Sequence, residues 1–175
     1  MGKKSERLKQ FEKSYTEWYY RTNHPTIPER CRVPQKFDDS TAPHLEKTII
    51  AFGAMNGWCL NKISTTGVFR DNRKVVTDCL GNRRMIGSAR WTPGGATKGV
   101  ADITGVIAGR YVEIEVKIGR DRQSEVQKAH QASVEAAGGI YFIAKTFDGF
   151  VDSLIQRGLL QQFTAQDLFF NPNIK

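Results

Sequence analysis

The sequence predicts an α/β fold with a mixed central sheet flanked by helices. Three observations predict it. Two strand-patterned segments meet at a tight Ala108-Gly109 turn, helical stripes lie before and after that hairpin, and Ile140–Ala144 is a continuous apolar run suited to a buried strand. Hydrophobic residues make up 39% of the 175, enough for a core. A mass of 19.7 kDa suits one domain with an appendage.

Taken in order, Leu8, Phe11, Tyr15 and Trp18 recur at helical spacing and predict an amphipathic helix over residues 3–20. Docking of Tyr15 and Trp18 on the core is favoured over base stacking by the Trp18-Tyr19-Tyr20-Arg21 cluster. Pro25, Pro28, Pro34 and Pro43 favour extended backbone over 21–43, with Ile27, Val33 and Phe37 as residues that can lie against the core. A helix from Pro43 to Met55 follows, with Leu45, Ile49 and Phe52 as its stripe and Asn56-Gly57 at its end.

Ile63–Phe69 reads as a strand, and Lys74–Leu80 with Met85–Trp91 as a basic hairpin around Gly81-Asn82. The glycine-rich loop Thr92–Gly99 leads into the strand bearing Asp102. After a polar loop, Ser124 caps a helix running to Ala137 and closed by Gly138-Gly139. Asp148–Arg157 is a further helix ending at Gly158, and Thr164-Ala165-Gln166-Asp167 opens a short last one. The organisation is an N-terminal arm over 1–40, a main domain over 41–160 and a tail over 161–175.

The hairpin carries the chemistry. With a two-residue loop at Ala108-Gly109, Ile107 faces Arg110 and Asp102 falls opposite Glu115. Cross-strand partners have Cβ atoms about 5 Å apart, where two like charges destabilise. Lys117 shares the face, strands having a period of two. A cation between the carboxylates accounts for such a placement, and magnesium suits Asp102, Glu115 and the Val116 backbone carbonyl. The other face, Ala101, Ile103 and Gly105 against Val112, Ile114 and Val116, is apolar and predicts the core side. Glu113 reads as a solvated neighbour rather than a ligand.

Charge narrows the partner. The net charge is +8. Residues 62–98 hold eight Lys or Arg against Asp71 and Asp78. A basic stretch beside a carboxylate site suits a polyanion such as nucleic acid. Arg83, Arg84, Arg90 and Lys98 are the expected phosphate contacts, which set affinity rather than sequence choice. Four such contacts predict a salt slope near about −3.6.

Other classes are set aside. No apolar run reaches the length of a membrane span, and Met1-Gly2-Lys3-Lys4 leads into polar residues rather than a secretion signal. Myristoylation at Gly2 wants Ser or Thr where Glu6 stands. Cys31, Cys59 and Cys79 form no Cys-x-x-Cys pair, and His24, His44 and His130 show no ligand spacing with them. Reduced, half-buried cysteines in a cytoplasmic protein are expected.

Gly99-Val100-Ala101-Asp102, then Glu115-Val116-Lys117, then Gln127 in the next helix, resembles the PD-(D/E)xK nuclease superfamily. Within it the chain is most similar to the VRR-NUC branch, whose small standalone members are common in bacteriophages. Residues 44–155 carry the resemblance. Ala101 stands where the superfamily name has proline, which leaves the ligand in place.

The resemblance implies a restriction-endonuclease-like core and a Mg2+- or Mn2+-dependent DNA endonuclease. It gives catalytic roles to Asp102, Glu115, Lys117 and Gln127, with branched DNA such as a Holliday junction as substrate and a homodimer as one arrangement. It also places a first-helix carboxylate, Glu46, beside the metal. A first-turn Glu favoured by the helix dipole reads Glu46 equally well. Ser124-x-x-Gln127 is itself a capping box, which gives Gln127 a structural reading beside the catalytic one. The alternatives are a non-catalytic nucleic-acid-binding protein and a nuclease acting on flaps, single strands or RNA.

Overall fold

A computed structural model describes residues 4–64, 67–92, 94 and 97–160. The expected helix after Thr164 and parts of the Thr92–Gly99 loop lie outside the described residues. Two compact units are present, one from the described residues of 1–63 and 99–175, the other from those of 64–98.

The larger unit is built on a four-stranded sheet in the order β1 (Cys59–Lys62), β6 (Ile103–Ile107), β7 (Arg110–Val116) and β8 (Ile140–Ala144). β7 pairs antiparallel with β6 and parallel with β8, so the sheet is mixed, as expected. Ala108 and Gly109 both take positive φ, 49° and 76°, the conformation of a two-residue turn that matches strand twist. The predicted register holds, with Ile107 opposite Arg110 and Ile103 opposite Ile114. Gly105 is needed for close approach, since a Cβ there would lie 2.0 Å from the Cys59 carbonyl oxygen of β1.

One sheet face packs the main core. Ile103, Ile107, Val112, Ile114, Phe142 and Ala144 meet α1 (Glu6–Asn23), α2 (Ala42–Met55) and α4 (Phe147–Gln156). Phe11 of α1 is fully buried with its ring 4.8 Å from Phe37, 5.5 Å from Phe52 and 5.1 Å from Phe147. Tyr15 and Trp18 pack partly buried against the same core, the docking expected of them.

The proline-bearing stretch is tied to α1. Val33, Gln35 and Phe37 donate backbone N–H groups to Tyr20 Oη, Thr16 Oγ1 and Glu12 Oε1. Phe37 is buried there, Ile27 is half-buried, and Val33 faces solvent, contrary to expectation. The opposite sheet face is covered by α3 (Glu125–Ala136), whose Val134 packs with Tyr141 and Ala101. Ala101 thus belongs to this second cluster and not to the Ile103 face. It precedes β6, where strict alternation no longer applies.

The smaller unit departs from the expected strand divisions. Ile63–Phe69 is not one strand: β1 ends at Lys62, and β2 spans Val68–Asp71. β3 (Lys74–Thr77) pairs with β4 (Arg83–Ile86) around the predicted turn, but β5 (Ala89–Thr92) pairs with β2. All three cysteines are exposed rather than half-buried. Among the described residues, no helix is long and apolar enough to cross a membrane.

Candidate functional site

The β6–β7 hairpin and α3 assemble the site on the sheet face away from the main core. Pairing ends at Ile103 and Ile114; Asp102 and Glu115 are the next residues of the two strands, near enough for the Asp102 charge to act on the Glu115 carboxyl. Asp102, half-buried, accepts a hydrogen bond through Oδ2 from the Val116 backbone N–H at 2.9 Å. The N–H and C=O of one extended residue share a strand edge. The Val116 carbonyl therefore lies on the edge that Asp102 occupies.

Glu115 is 1% exposed. Its Oε1 takes hydrogen bonds from Gln127 Nε2 at 2.5 Å and lies 2.9 Å from Lys117 Nζ. Its Oε2 accepts from Tyr141 Oη at 3.3 Å. Lys117 is buried and also reaches Asp121 Oδ2 at 3.3 Å, across the turn that follows β7. Gln127 fulfils both readings: its side-chain oxygen and backbone complete the capping box with Ser124, and its amide nitrogen holds Glu115.

Glu46 is buried in α2, with Oε2 2.5 Å from Lys62 Nζ in charge contact but not aligned as a hydrogen bond. Lys62 pairs with Ile103, and Ile63 N–H donates to the Asp102 carbonyl. Glu46 thus reaches the Asp102 end of the sheet through β1. Arg83, Arg84, Arg90 and Lys98 lie in the smaller unit, all exposed.

Glu113 is not solvated. It is 2% exposed and accepts from Tyr111 Oη at 2.7 Å, with His130 Nε2 at 2.9 Å. Sequence reading missed this cluster and Tyr141. One signal was present: His130 follows Gln127 by three residues, which places both on one helix face. α3 therefore holds two carboxylates of β7 at once, Glu115 through Gln127 and Glu113 through His130.

Electrostatics follow from burial. The Glu115 carboxyl is held above the ordinary carboxylate range, chiefly by burial, with the Asp102 charge adding and Lys117 opposing. For the Lys117 ammonium, burial works downward, but the contacts with Glu115 and Asp121 outweigh it and the net shift is upward. Tyr141 is raised well above a free phenol by burial and the neighbouring carboxylates, and Tyr111 is pushed up to about 12 by burial and Glu113.

A carboxyl with a higher pKa folded than unfolded contributes stability that is full below the unfolded value and lost as pH rises through the folded one. In metal-free protein, the melting temperature of wild type should therefore fall relative to Glu115→Gln as pH rises above the ordinary Glu value of about 4.3. A gap that stays constant with pH overturns the assignment of that carboxyl.

Two carboxylates and a main-chain carbonyl are hard oxygen donors, the set preferred by Mg2+ and Mn2+. Lys117 and Gln127 hold Glu115 Oε1 closely, while Oε2 meets only Tyr141 at 3.3 Å and is the oxygen with acceptor capacity for an ion. Among the described residues, no group of three or more His, Cys, Asp and Glu converges to hold a metal. The fit is thus to an ion that keeps several waters and takes one or two carboxylates, as Mg2+ does. The chain matches no protein-family model and no curated protein.

Proposed function

We propose that the protein is a metal-dependent DNA endonuclease on a restriction-endonuclease-like core, hydrolysing phosphodiester bonds of branched DNA. The observation that carries this reading is the like-charged pair Asp102 and Glu115, set in register beside a buried Lys117. Such a placement opposes folding and is accounted for by a cation and a phosphate that meet there. A bound Mg2+ or Mn2+ supplies Lewis-acid stabilisation and a water acidic enough to attack near neutral pH.

Asp102, Glu115 and the Val116 carbonyl would hold the ion. Lys117 keeps its proton, since Glu115 and Asp121 favour the charged form. It therefore serves as a hydrogen-bond donor to the attacking water or the phosphate oxygens and not as a base. Gln127 and Tyr141 position Glu115 by engaging its two oxygens. Glu46 is a positioning residue at the β1 side. Exposed cations of 64–98, Arg84 and Arg90 among them, meet the DNA.

The test is cleavage of a labelled four-way junction, with linear duplex, single-strand and flap controls, in Mg2+ or Mn2+. Paired symmetric nicks in the junction are expected of a dimeric enzyme. Cutting of flaps or single strands instead keeps the nuclease and removes the junction. No cutting of any substrate, with binding retained, replaces the nuclease by a non-catalytic DNA binder.

A further inference from the structure

We infer that residues 68–92 form a two-stranded ribbon that lies in the major groove of B-form DNA, with Arg70, Lys74, Arg84 and Arg90 turned toward the duplex. The inference rests on DNA as the partner and not on its cleavage.

The ribbon is one hairpin. β2 pairs with β5 and β3 with β4, and the register carries straight across the gap: Asp71 pairs with Ala89, and Lys74, three residues on, pairs with Ile86. The Asn72 N–H to Ser88 carbonyl bond, 3.0 Å, spans the join. Since cross-strand partners share a face and strands have a period of two, the positions sort by parity. Arg70 with Arg90, Lys74 with Ile86 and Val76 with Arg84 fall on one face. Phe69 with Trp91 and Val75 with Met85 fall on the other.

That first face carries four cations along its strands, and its one acid, Asp78, lies in the turn with its carboxylate taken up by Leu80 and Asn82. The nearby Asp71 is on the opposite face and is already bound to Arg73 at 2.7 Å. Among the described residues, Arg70, Lys74, Arg84 and Arg90 make no ion pair. Arg70 sits directly opposite Arg90, a like-charge pairing that destabilises a ribbon. An isolated two-stranded hairpin is marginal in water to begin with. Both facts are relieved by one ligand, a polyanion against this face. The same face of a second copy does not supply it, because two such faces would bring cation against cation.

Shape selects the polyanion. The B-form major groove, about 12 Å wide, admits a two-stranded β-ribbon. Ten residues per strand at about 3.4 Å each span roughly 34 Å, close to one turn of B-DNA. The major groove of A-form RNA is deep and narrow and admits no such element. Arginines on the inward face can meet guanine edges and phosphates on both walls, whereas Arg83 points to the other side.

The experiment is equilibrium binding of a labelled DNA duplex by fluorescence anisotropy in EDTA, where cleavage cannot intrude and its failure elsewhere has no bearing. Arg70→Gln/Arg90→Gln should weaken binding roughly fiftyfold at about 0.1 M salt and make the salt slope shallower by about 1.8, two contacts' worth. Arg84→Gln should weaken binding more than Arg83→Gln. Duplex RNA of the same sequence should bind more weakly than DNA. The melting temperature of the double variant should not fall, and sedimentation should show the wild-type oligomeric state. Unchanged affinity and slope, equal effects of Arg83→Gln and Arg84→Gln, equal binding of RNA, or a loss that follows a changed oligomeric state each overturns the inference.

Discussion

Asp102→Asn should lower the cleavage rate by roughly a thousandfold or more, the scale on which one electrostatic group at a reacting centre acts, while DNA affinity in EDTA stays at the wild-type value. The substitution removes one charge and little else. Asn Oδ1 can still accept the Val116 N–H that Asp102 Oδ2 takes at 2.9 Å, so the end of β7 keeps its bond. What is lost is a carboxylate facing Glu115, and with it the reason for an ion to sit there. The same variant should be more stable than wild type without metal. Removing one of two like charges at a cross-strand position relieves about 0.5–1 kcal/mol, or roughly 1–4 °C in a chain of this length.

Loss of activity together with a gain in Tm is the signature of a group kept for function against stability. A variant that still cuts with added Mg2+ or Mn2+ removes Asp102 from the site. A variant that loses both activity and stability would make Asp102 a structural residue of the hairpin.

Local features were legible in the sequence wherever a few neighbouring residues decide the outcome. The Ala108-Gly109 turn set the β6–β7 register, and that register alone brought Asp102 to Glu115. Ser124 and Gln127 marked the start of α3 because capping is settled within one turn. Asn56-Gly57 marked the end of α2 for the same reason.

What was not legible depends on contacts distant in sequence. Glu113 alternates with apolar residues and so reads as solvent-facing, yet α3 lies over it and His130 reaches it from seventeen residues away. Tyr141 is one residue of an apolar run until parallel pairing places it beside Glu113 and its hydroxyl on Glu115. In the ribbon of 68–92 neither face is buried, so no apolar stripe fixed where each strand began or which partner it took. The Phe69–Trp91 pairing needed the register itself.

Phe11→Ala should destabilise the protein by about 3–5 kcal/mol, the range for truncating a fully buried Phe, and lower Tm by roughly 6–20 °C. Phe11 is 0% exposed, and its ring contacts Phe37, Phe52 and Phe147, which come from three separate segments. Each aromatic pair adds about 0.5–1.5 kcal/mol beyond burial, and a hole at their meeting point cannot close without moving α2 and α4 together. The first helix is further fastened by Arg7 to Asp152 at 2.8 Å and Ser5 to Asp148 at 2.9 Å.

Urea or thermal melting of the variant measures this directly. A cost under about 1 kcal/mol, the usual size of a surface change, would make α1 an appended arm. The expected cost makes it part of the core that holds the sheet, and removal of residues 1–40 should then unfold the chain rather than leave a smaller working unit. The face of the sheet that carries Glu115 is backed by this aromatic cluster, because Ile114 and Val116 of the same strand lie in it. Weakening Phe11 should therefore lower thermal stability before it alters cleavage at temperatures where the fold persists.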